Sequence, residues 1–349
     1  MASHVRIIIL GTAGAVPSET ASLPAIMLHF EGNQVLFDCG EDVQRQFLKA
    51  NLKFNVPLVI CISHMHGDHV IGLPGLLFNF NMGDRTAPLT IVGPQGIFSY
   101  LHHLHDDIGL RVECPLEVRE IQPDLKVLQV YTNIEDPILV DVQPIEKNVV
   151  FRNKLFAISA MESRHSVFTL AYCIQERPLF GTFHPDMAKL KQVPEGPLWK
   201  KLQRGKSVEI NGKVLDPVVE GIVEPPMRGR TIIYTGDTMP GPDYSLLSPS
   251  PDVLIHESMY LNQDAKLAEE KQHSTSQDAA RVASRIQAKY LLLTHRSSRY
   301  KDPSAFLAEA QSTFPNTILA KDLDVFELKK TKVLEKNVKE RESQDPAEI

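Results

Sequence analysis

Three histidines and an aspartate fall within six residues at His64-Met65-His66-Gly67-Asp68-His69, and no other stretch of the chain limits its fold so tightly. The segment follows Leu58-Val59-Ile60-Cys61-Ile62-Ser63, an apolar run that reads as a buried strand. On an extended backbone His64 and His66, two apart, project to one side. Gly67 lets the chain turn, so Asp68 and His69 approach the same point from another direction. Imidazole and carboxylate together suit zinc, and more loosely iron or manganese. The plainer reading is a polar loop that happens to be rich in histidine. Rings at this density repel when protonated and are costly to bury without partners, which weighs against it.

The H-x-H-x-D-H pattern resembles the first metal motif of the metallo-β-lactamase superfamily. The next residues, Gly72-Leu73-Pro74-Gly75-Leu76-Leu77, resemble the continuation found in the ribonuclease Z family, endonucleases that trim tRNA precursors at their 3′ side. The resemblance implies an α/β fold, a four-layer αββα sandwich of the metallo-β-lactamase type spanning residues 1–328. It also implies a flexible tRNA-binding arm inserted at 176–222. Residues 329–349 read as a charged tail, disordered or a frayed helix.

Composition neither supports nor excludes this strongly. A chain of 349 residues with 43% apolar residues can bury a sizeable core in one or two domains. No stretch approaches the length of a membrane span. Met1-Ala2-Ser3-His4-Val5 runs straight into Arg6-Ile7-Ile8-Ile9-Leu10, with no room for a signal or transit peptide. Cys39, Cys61, Cys114 and Cys173 show no C-x-x-C spacing and read as reduced core residues of a cytosolic protein. The net charge of −6 argues against a nucleic-acid partner. Some acid belongs to a metal site and a tail, however, so its distribution matters more than its sum.

Arg6 to Leu10 reads as an edge or first strand, and Ala25–Phe30 with Gln34–Phe37 as a hairpin through Glu31-Gly32-Asn33. Asp38 closes the hairpin. It is either a cap or Asx-turn before the helix from Val43, or a carboxylate fixing the tautomer of a ligand histidine. The resemblance favours the second. His102, His103 and His105 lie on a helix from Gly96, point in different directions and read as solvated. His165, between two strands, is a weak ligand signal taken alone. Asp237 follows the buried strand Thr231–Tyr234. Ser274 with Gln277 reads as a capping box, before a helix with Ala279, Ala280, Ala283 and Ile286 on one face. His273 therefore sits just outside a helix N-terminus, and His295 follows the apolar strand Tyr290–Leu293.

The resemblance assigns His64, His66 and His165 to one zinc, and Asp68, His69 and His295 to a second, with Asp237 bridging. A two-metal core serves phosphoryl displacement or acyl chemistry alike. Cleaving a phosphodiester also needs a group that protonates the departing ribose oxygen. His273 is the candidate, with Glu257 restoring the proton that a helix N-terminus disfavours; a plain polar residue beside a cap is the competing reading. The arm carries Gly196-Pro197-Leu198-Trp199-Lys200-Lys201-Leu202-Gln203-Arg204, a local basic face that would supply phosphate contacts. Arg299 is a further substrate candidate. Two departures stand out: the family's loop carries Arg-Asn near Thr20-Ala21, and an apolar residue where Arg296 stands. The expected activity is zinc-dependent removal of the 3′ trailer from precursor tRNA by a cytoplasmic homodimer, with Asp68, His273 and Glu257 catalytic. The alternatives are a small-molecule phosphodiesterase of the same superfamily and a non-catalytic RNA-binding scaffold.

Overall fold

The computed structural model describes residues 4–178 and 181–337. They form two compact units, the smaller made of residues 154–156 and 176–230 and the larger of the remainder.

The larger unit contains a ten-stranded and a seven-stranded sheet. Its central strands are apolar on both faces, so each sheet must be covered twice. In the ten-stranded sheet Ile8, Met27, Leu36 and Ile60 pack under the helices Val43–Lys49, Leu73–Met82 and Ile97–Ile108. In the seven-stranded sheet Cys173, Ile233, Leu254 and Leu291 lie against Ser276–Arg285 and Ser304–Gln311. The opposite faces meet each other. Phe37 stacks on Tyr234 at 5.0 Å and on Tyr172 at 6.2 Å, and Tyr172 Oη donates to the Ile62 carbonyl at 2.7 Å. The layers therefore run helix, sheet, sheet, helix, as expected.

Strand direction positions the site. Asn33–Phe37, Leu58–Cys61 and Leu89–Pro94 run parallel in one sheet. Thr231–Tyr234, Val253–Glu257 and Tyr290–Thr294 run parallel in the other. Segments leaving the carboxyl ends of parallel strands share one edge of the sheet, where ligands collect. Thr169–Glu176 runs antiparallel to Thr231–Tyr234, so its start, and the loop holding His165, lies at that same edge.

Several local expectations shift. The hairpin turns on Glu31 and Gly32, both with positive φ, so its second strand starts at Asn33. Val5–Gly11 is interior, flanked by Ala25–Phe30 and Val325–Leu328. The tail is not unstructured from 329: Leu334–Lys336 adds a strand to Val325–Leu328, Leu334 is buried, and Lys336 pairs with Asp324 at 2.7 Å. Residues 338–349, like Met1-Ala2-Ser3, lie outside the described residues. The capping box falls one residue later than expected, between Thr275 and Asp278. Ser274 instead donates to the Thr238 carbonyl at 2.6 Å. The face of Ala279, Ala280, Ala283 and Ile286 is buried. Each of His102, His103 and His105 gives its Nδ1–H to a backbone carbonyl; His103 is exposed and the other two are half-buried. All four cysteines are buried and unpaired with one another.

The smaller unit is a folded module where the sequence suggested a flexible excursion, and it runs past Ile222 to Arg230. Short helices Pro185–Leu190 and Pro197–Gln203 and a hairpin of Val208–Ile210 with Lys213–Leu215 enclose Ala188, Val193, Leu202 and Ile222. Trp199 packs on Phe183 and donates to the Val193 carbonyl at 3.0 Å. Gly196 holds φ 121° and ψ −135°, a conformation that side chains avoid, and it launches the helix at Pro197. Arg230 grips Glu176 in a buried two-point ion pair, at 2.7 Å and 2.5 Å.

Candidate metal centre

The seven expected ligands converge at the shared strand edge. His64 follows the strand Leu58–Cys61, and His66 starts the single helical turn Gly67–Val70 that carries Asp68 and His69. His64 Nε2 lies 3.0 Å from His66 Nδ1, which lies 3.4 Å from His165 Nε2. His69 Nε2 is 3.3 Å from His295 Nε2, 3.6 Å from Asp68 Oδ2 and 3.3 Å from Asp237 Oδ2. His295 Nε2 is 3.4 Å from Asp68 Oδ2 and from Asp237 Oδ1. A tetrahedron with metal–ligand bonds near 2.0–2.1 Å has edges of roughly 3.4 Å, so both groups have the size a metal ion requires. Asp237 Oδ2 also lies 3.9 Å from His64 and 4.0 Å from His165, between the two groups. Asp237 Oδ1 is buried with no hydrogen-bond donor among the described residues, which suits a carboxylate awaiting cations.

Outer contacts aim the rings. Asp38 Oδ2 accepts from His69 Nδ1 at 2.7 Å, Ser63 Oγ at 2.8 Å and Tyr234 Oη at 2.6 Å. Ser63 Oγ, its own proton given to Asp38, accepts from His64 Nδ1 at 3.0 Å. His165 Nδ1 donates to the Gln272 carbonyl at 2.7 Å. These bonds leave Nε2 of His64, His69 and His165 facing inward. Asp38 thus orients the His69 ring and caps no helix. Ser63, Tyr234 and the Gln272 carbonyl carry no sequence signal of their own, since a serine, a core tyrosine and a backbone oxygen are ordinary until folded.

Charge is balanced for cations. Burial alone would raise the Asp237 carboxyl, but His295 and His69 outweigh it and hold it well below the usual carboxylate range. Asp68 behaves likewise, with His295 as the main opposing partner. Burial depresses His64 and His165. His69 is drawn up against its burial by Asp237 and Asp38, so it keeps a proton where an ion would take its place.

His273 lies on the turn before Ser276–Arg285, its ring 4.9 Å from that of His165 and 5.5 Å from that of His295. Its Nδ1 donates to Glu257 Oε1 at 2.9 Å. Glu257 is buried and also accepts from the amides of Thr238 and Met259. Burial opposes protonation of His273, yet Glu257 and then Asp237 push its imidazole up to about 9. Tyr260 packs 6.1 Å from the His273 ring, and the exposed Arg299 lies over Tyr260 at 5.3 Å. On the smaller unit Lys200, Lys201 and Arg204 are exposed and form no ion pair among the described residues, whereas Lys189 and Lys191 are paired with Glu195 and Glu220.

A ribonuclease Z from Nitrosopumilus maritimus is 34% identical over 93% of this chain and all of its own length. The chain belongs to the ribonuclease Z family. The Methanosarcina mazei member is 35% identical over 91% of this chain and 96% of its own. The crystal structure of human tRNase Z, short form, superposes with a TM-score of 0.62 and 26% identity, covering 92% of this chain and 98% of that one. A metallo-β-lactamase fold protein, YhfI of Bacillus subtilis, shares the fold with a TM-score of 0.60 at 19% identity, over 93% of this chain and 99% of its own. The family model described as anti-Pycsar protein Apyc1 matches residues 5–182, so the first half of the chain belongs with that family too. The positions at which this family member departs from the expected pattern, Thr20, Ala21 and Arg296, line one cleft.

Proposed function

We propose that this enzyme is a zinc-dependent endoribonuclease that removes the 3′ trailer from precursor tRNA, leaving a 3′-hydroxyl on the tRNA. The observation that carries the reading is the pairing of two tetrahedral donor groups through Asp237 with a histidine–glutamate couple at their side. His64, His66 and His165 would hold one ion and Asp68, His69 and His295 the other, with Asp237 shared. Bound there, two such ions supply Lewis acidity and lower the pKa of water. The chain's residues do the rest. Asp68, free of a proton, would hold an ion through Oδ2 and accept a proton from the attacking water at its other oxygen. His273, holding its Nδ1 proton on Glu257, presents Nε2–H to the departing 3′ oxygen of the ribose. Lys200, Lys201, Arg204 and Arg299 give phosphate contacts, while Gly196 and Pro197 set the helix that carries Lys200 and Lys201 and ends at Arg204. A homodimer acting in the cytoplasm completes the reading, with no membrane partner; no helix among the described residues is long and apolar enough to cross a membrane.

The two donor groups would equally serve one second reading: a small-molecule phosphodiesterase needing the metal centre but not the module. A non-catalytic scaffold would have no use for the proton-holding couple of His273 and Glu257. Incubating metal-loaded protein with a precursor tRNA and mapping the cut tests the first reading. A single cut after the discriminator nucleotide supports it; an intact precursor alongside a cleaved chromogenic diester favours the second.

A further inference from the structure

The segment 261–275, which carries His273, is held at its base by one carboxylate from a later helix. Tyr260 and Thr275 form an isolated bridge. Beside it the Ser276 amide donates to the Tyr260 carbonyl at 2.9 Å and the Tyr260 amide to the Ser274 carbonyl at 3.3 Å. Thr275 and Asp278 satisfy each other in the capping box, which leaves the Ser276 hydroxyl and the Gln277 amide to find partners outside their own helix. Glu309 takes both: its Oε1 accepts from Ser276 Oγ at 2.5 Å and from the Gln277 amide at 3.2 Å. The same carboxylate receives the Asn262 amide, 3.0 Å from each oxygen. Glu309 thus joins the two ends of the segment. It belongs to Ser304–Gln311, whose Phe306 and Ala310 are buried in one cluster with Ala279, Ala280 and Ala283 of the helix that follows His273. The carboxylate therefore stands on a packed platform.

Tyr300 adds a second point of attachment: its hydroxyl donates to the Asp264 carboxylate and accepts from the Leu261 amide at 3.3 Å. Inside the segment the His273 amide donates to the Ala268 carbonyl at 2.8 Å, and Ala268 is buried with Met259 and Tyr260. A shift at the base is therefore carried to the imidazole. The side chain of His273 makes one hydrogen bond among the described residues, from Nδ1 to Glu257. A single bond fixes that nitrogen but leaves the direction of Nε2 open, so the placement of the backbone has to set it. We propose that Glu309 is a positioning residue for the general acid: by tying Asn262 to Ser276 and Gln277, it aims His273 Nε2 at the departing ribose oxygen. Glu309 touches no reacting atom. The proposal rests on the ribonuclease reading and names the distant group that fixes the acid. The Gln272 carbonyl of the same segment holds His165 Nδ1, a second route from the base to the metal centre, and the experiment separates the two.

The test compares metal-loaded wild type with Glu309→Ala, Glu309→Gln and Ser276→Ala, and His273→Ala with the double variant His273→Ala/Glu309→Ala. Turnover is measured on precursor tRNA and on bis(p-nitrophenyl) phosphate, whose phenolate leaves without needing a proton. Metal content is measured on every variant. Glu309→Ala should lower kcat on precursor tRNA roughly 10- to 100-fold, the loss expected when a general acid is misaimed by about 1 Å. KM, bound metal and cleavage of the nitrophenyl diester should each stay within about twofold, because only a step made in the transition state is lost. Glu309→Gln keeps an acceptor oxygen and should recover most of the rate. In the His273→Ala background Glu309→Ala should cost nothing further, since the group it acts through is gone. Equal loss on both substrates, a fall in bound metal that tracks activity, or an undiminished extra loss in the double variant makes Glu309 a structural strut and overturns the proposal. Unchanged turnover of precursor tRNA in Glu309→Ala overturns it as well. Should Glu309→Ala fail to fold, Ser276→Ala decides: a loss confined to precursor tRNA supports the proposal, and no loss, or the same loss on the diester, overturns it. Failure of the ribonuclease reading is a separate result, seen when wild type itself leaves precursor tRNA uncut.

Discussion

Replacing Glu257 with glutamine tests the proton on His273 directly. The carboxylate lies 2.9 Å from Nδ1 and is the main reason that the imidazole is pushed to about 9 despite its burial. A group raised in this way keeps its proton up to that pH and loses it above. With a value of about 9, His273 is about 90% protonated at pH 8; at its ordinary 6.5 the fraction is about 3%. Glu257→Gln should therefore slow cleavage roughly 30-fold at pH 8 while costing less than about twofold near pH 5.5, where either imidazole is protonated. Bound metal ions lower both values together, which moves these pH windows down by the same amount and leaves the separation between the two alkaline limbs. The glutamine keeps an oxygen for the amide of Thr238 or Met259, so the turn should hold. The assay is kcat/KM against pH for wild type, Glu257→Gln and His273→Ala, with metal content measured on each. The alkaline limb should move to lower pH in the first variant and vanish in the second. A loss of the same size at every pH, or a fall in bound metal that tracks activity, would refute the role.

Asp237→Ala should abolish cleavage and lower metal content from about two ions per chain, because both donor groups share that carboxylate; one tight ion in fully active wild type contradicts this. Metal affinity should fall as pH drops, since His69 holds a proton that an incoming ion must displace, and titration calorimetry in buffers of different ionisation enthalpy should register its release. Neutralising Lys200, Lys201 and Arg204 together should spare the chromogenic diester and weaken precursor tRNA binding. It should also flatten the salt dependence of that binding by up to about one slope unit for each phosphate that no longer meets a cation. Gly196→Ala should destabilise the smaller unit by about 1–3 kcal/mol through its strained φ, read as earlier proteolysis there, with zinc content unchanged.

The sequence alone determined which polar residues stand at strand ends, and the reason is local; their reading as a ligand set came from the family resemblance. Each of His64, His66, Asp237 and His295 follows an apolar strand, and strands buried on both faces have only one place to put a polar side chain: the end. It determined the helix face of Ala279, Ala280 and Ala283 for the same reason, since periodicity is written into neighbouring residues. Tertiary structure decided what no window of sequence contains. Asp38 reads equally as a cap or a support until Ser63, Tyr234 and His69, each from a different strand or turn, converge on its two oxygens. The last strand, Leu334–Lys336, looked like a solvated tail because its energetics come from Leu334 finding cover and Lys336 finding Asp324. The arm read as a loop because its core residues are sparse and spread from Ala188 to Val223, with a periodicity that short helices cannot show. Glu309 is the clearest case. A lone glutamate on a late helix is uninformative until Asn262, Ser276 and Gln277 are folded around it, and distances between remote residues are what a linear chain leaves unspecified.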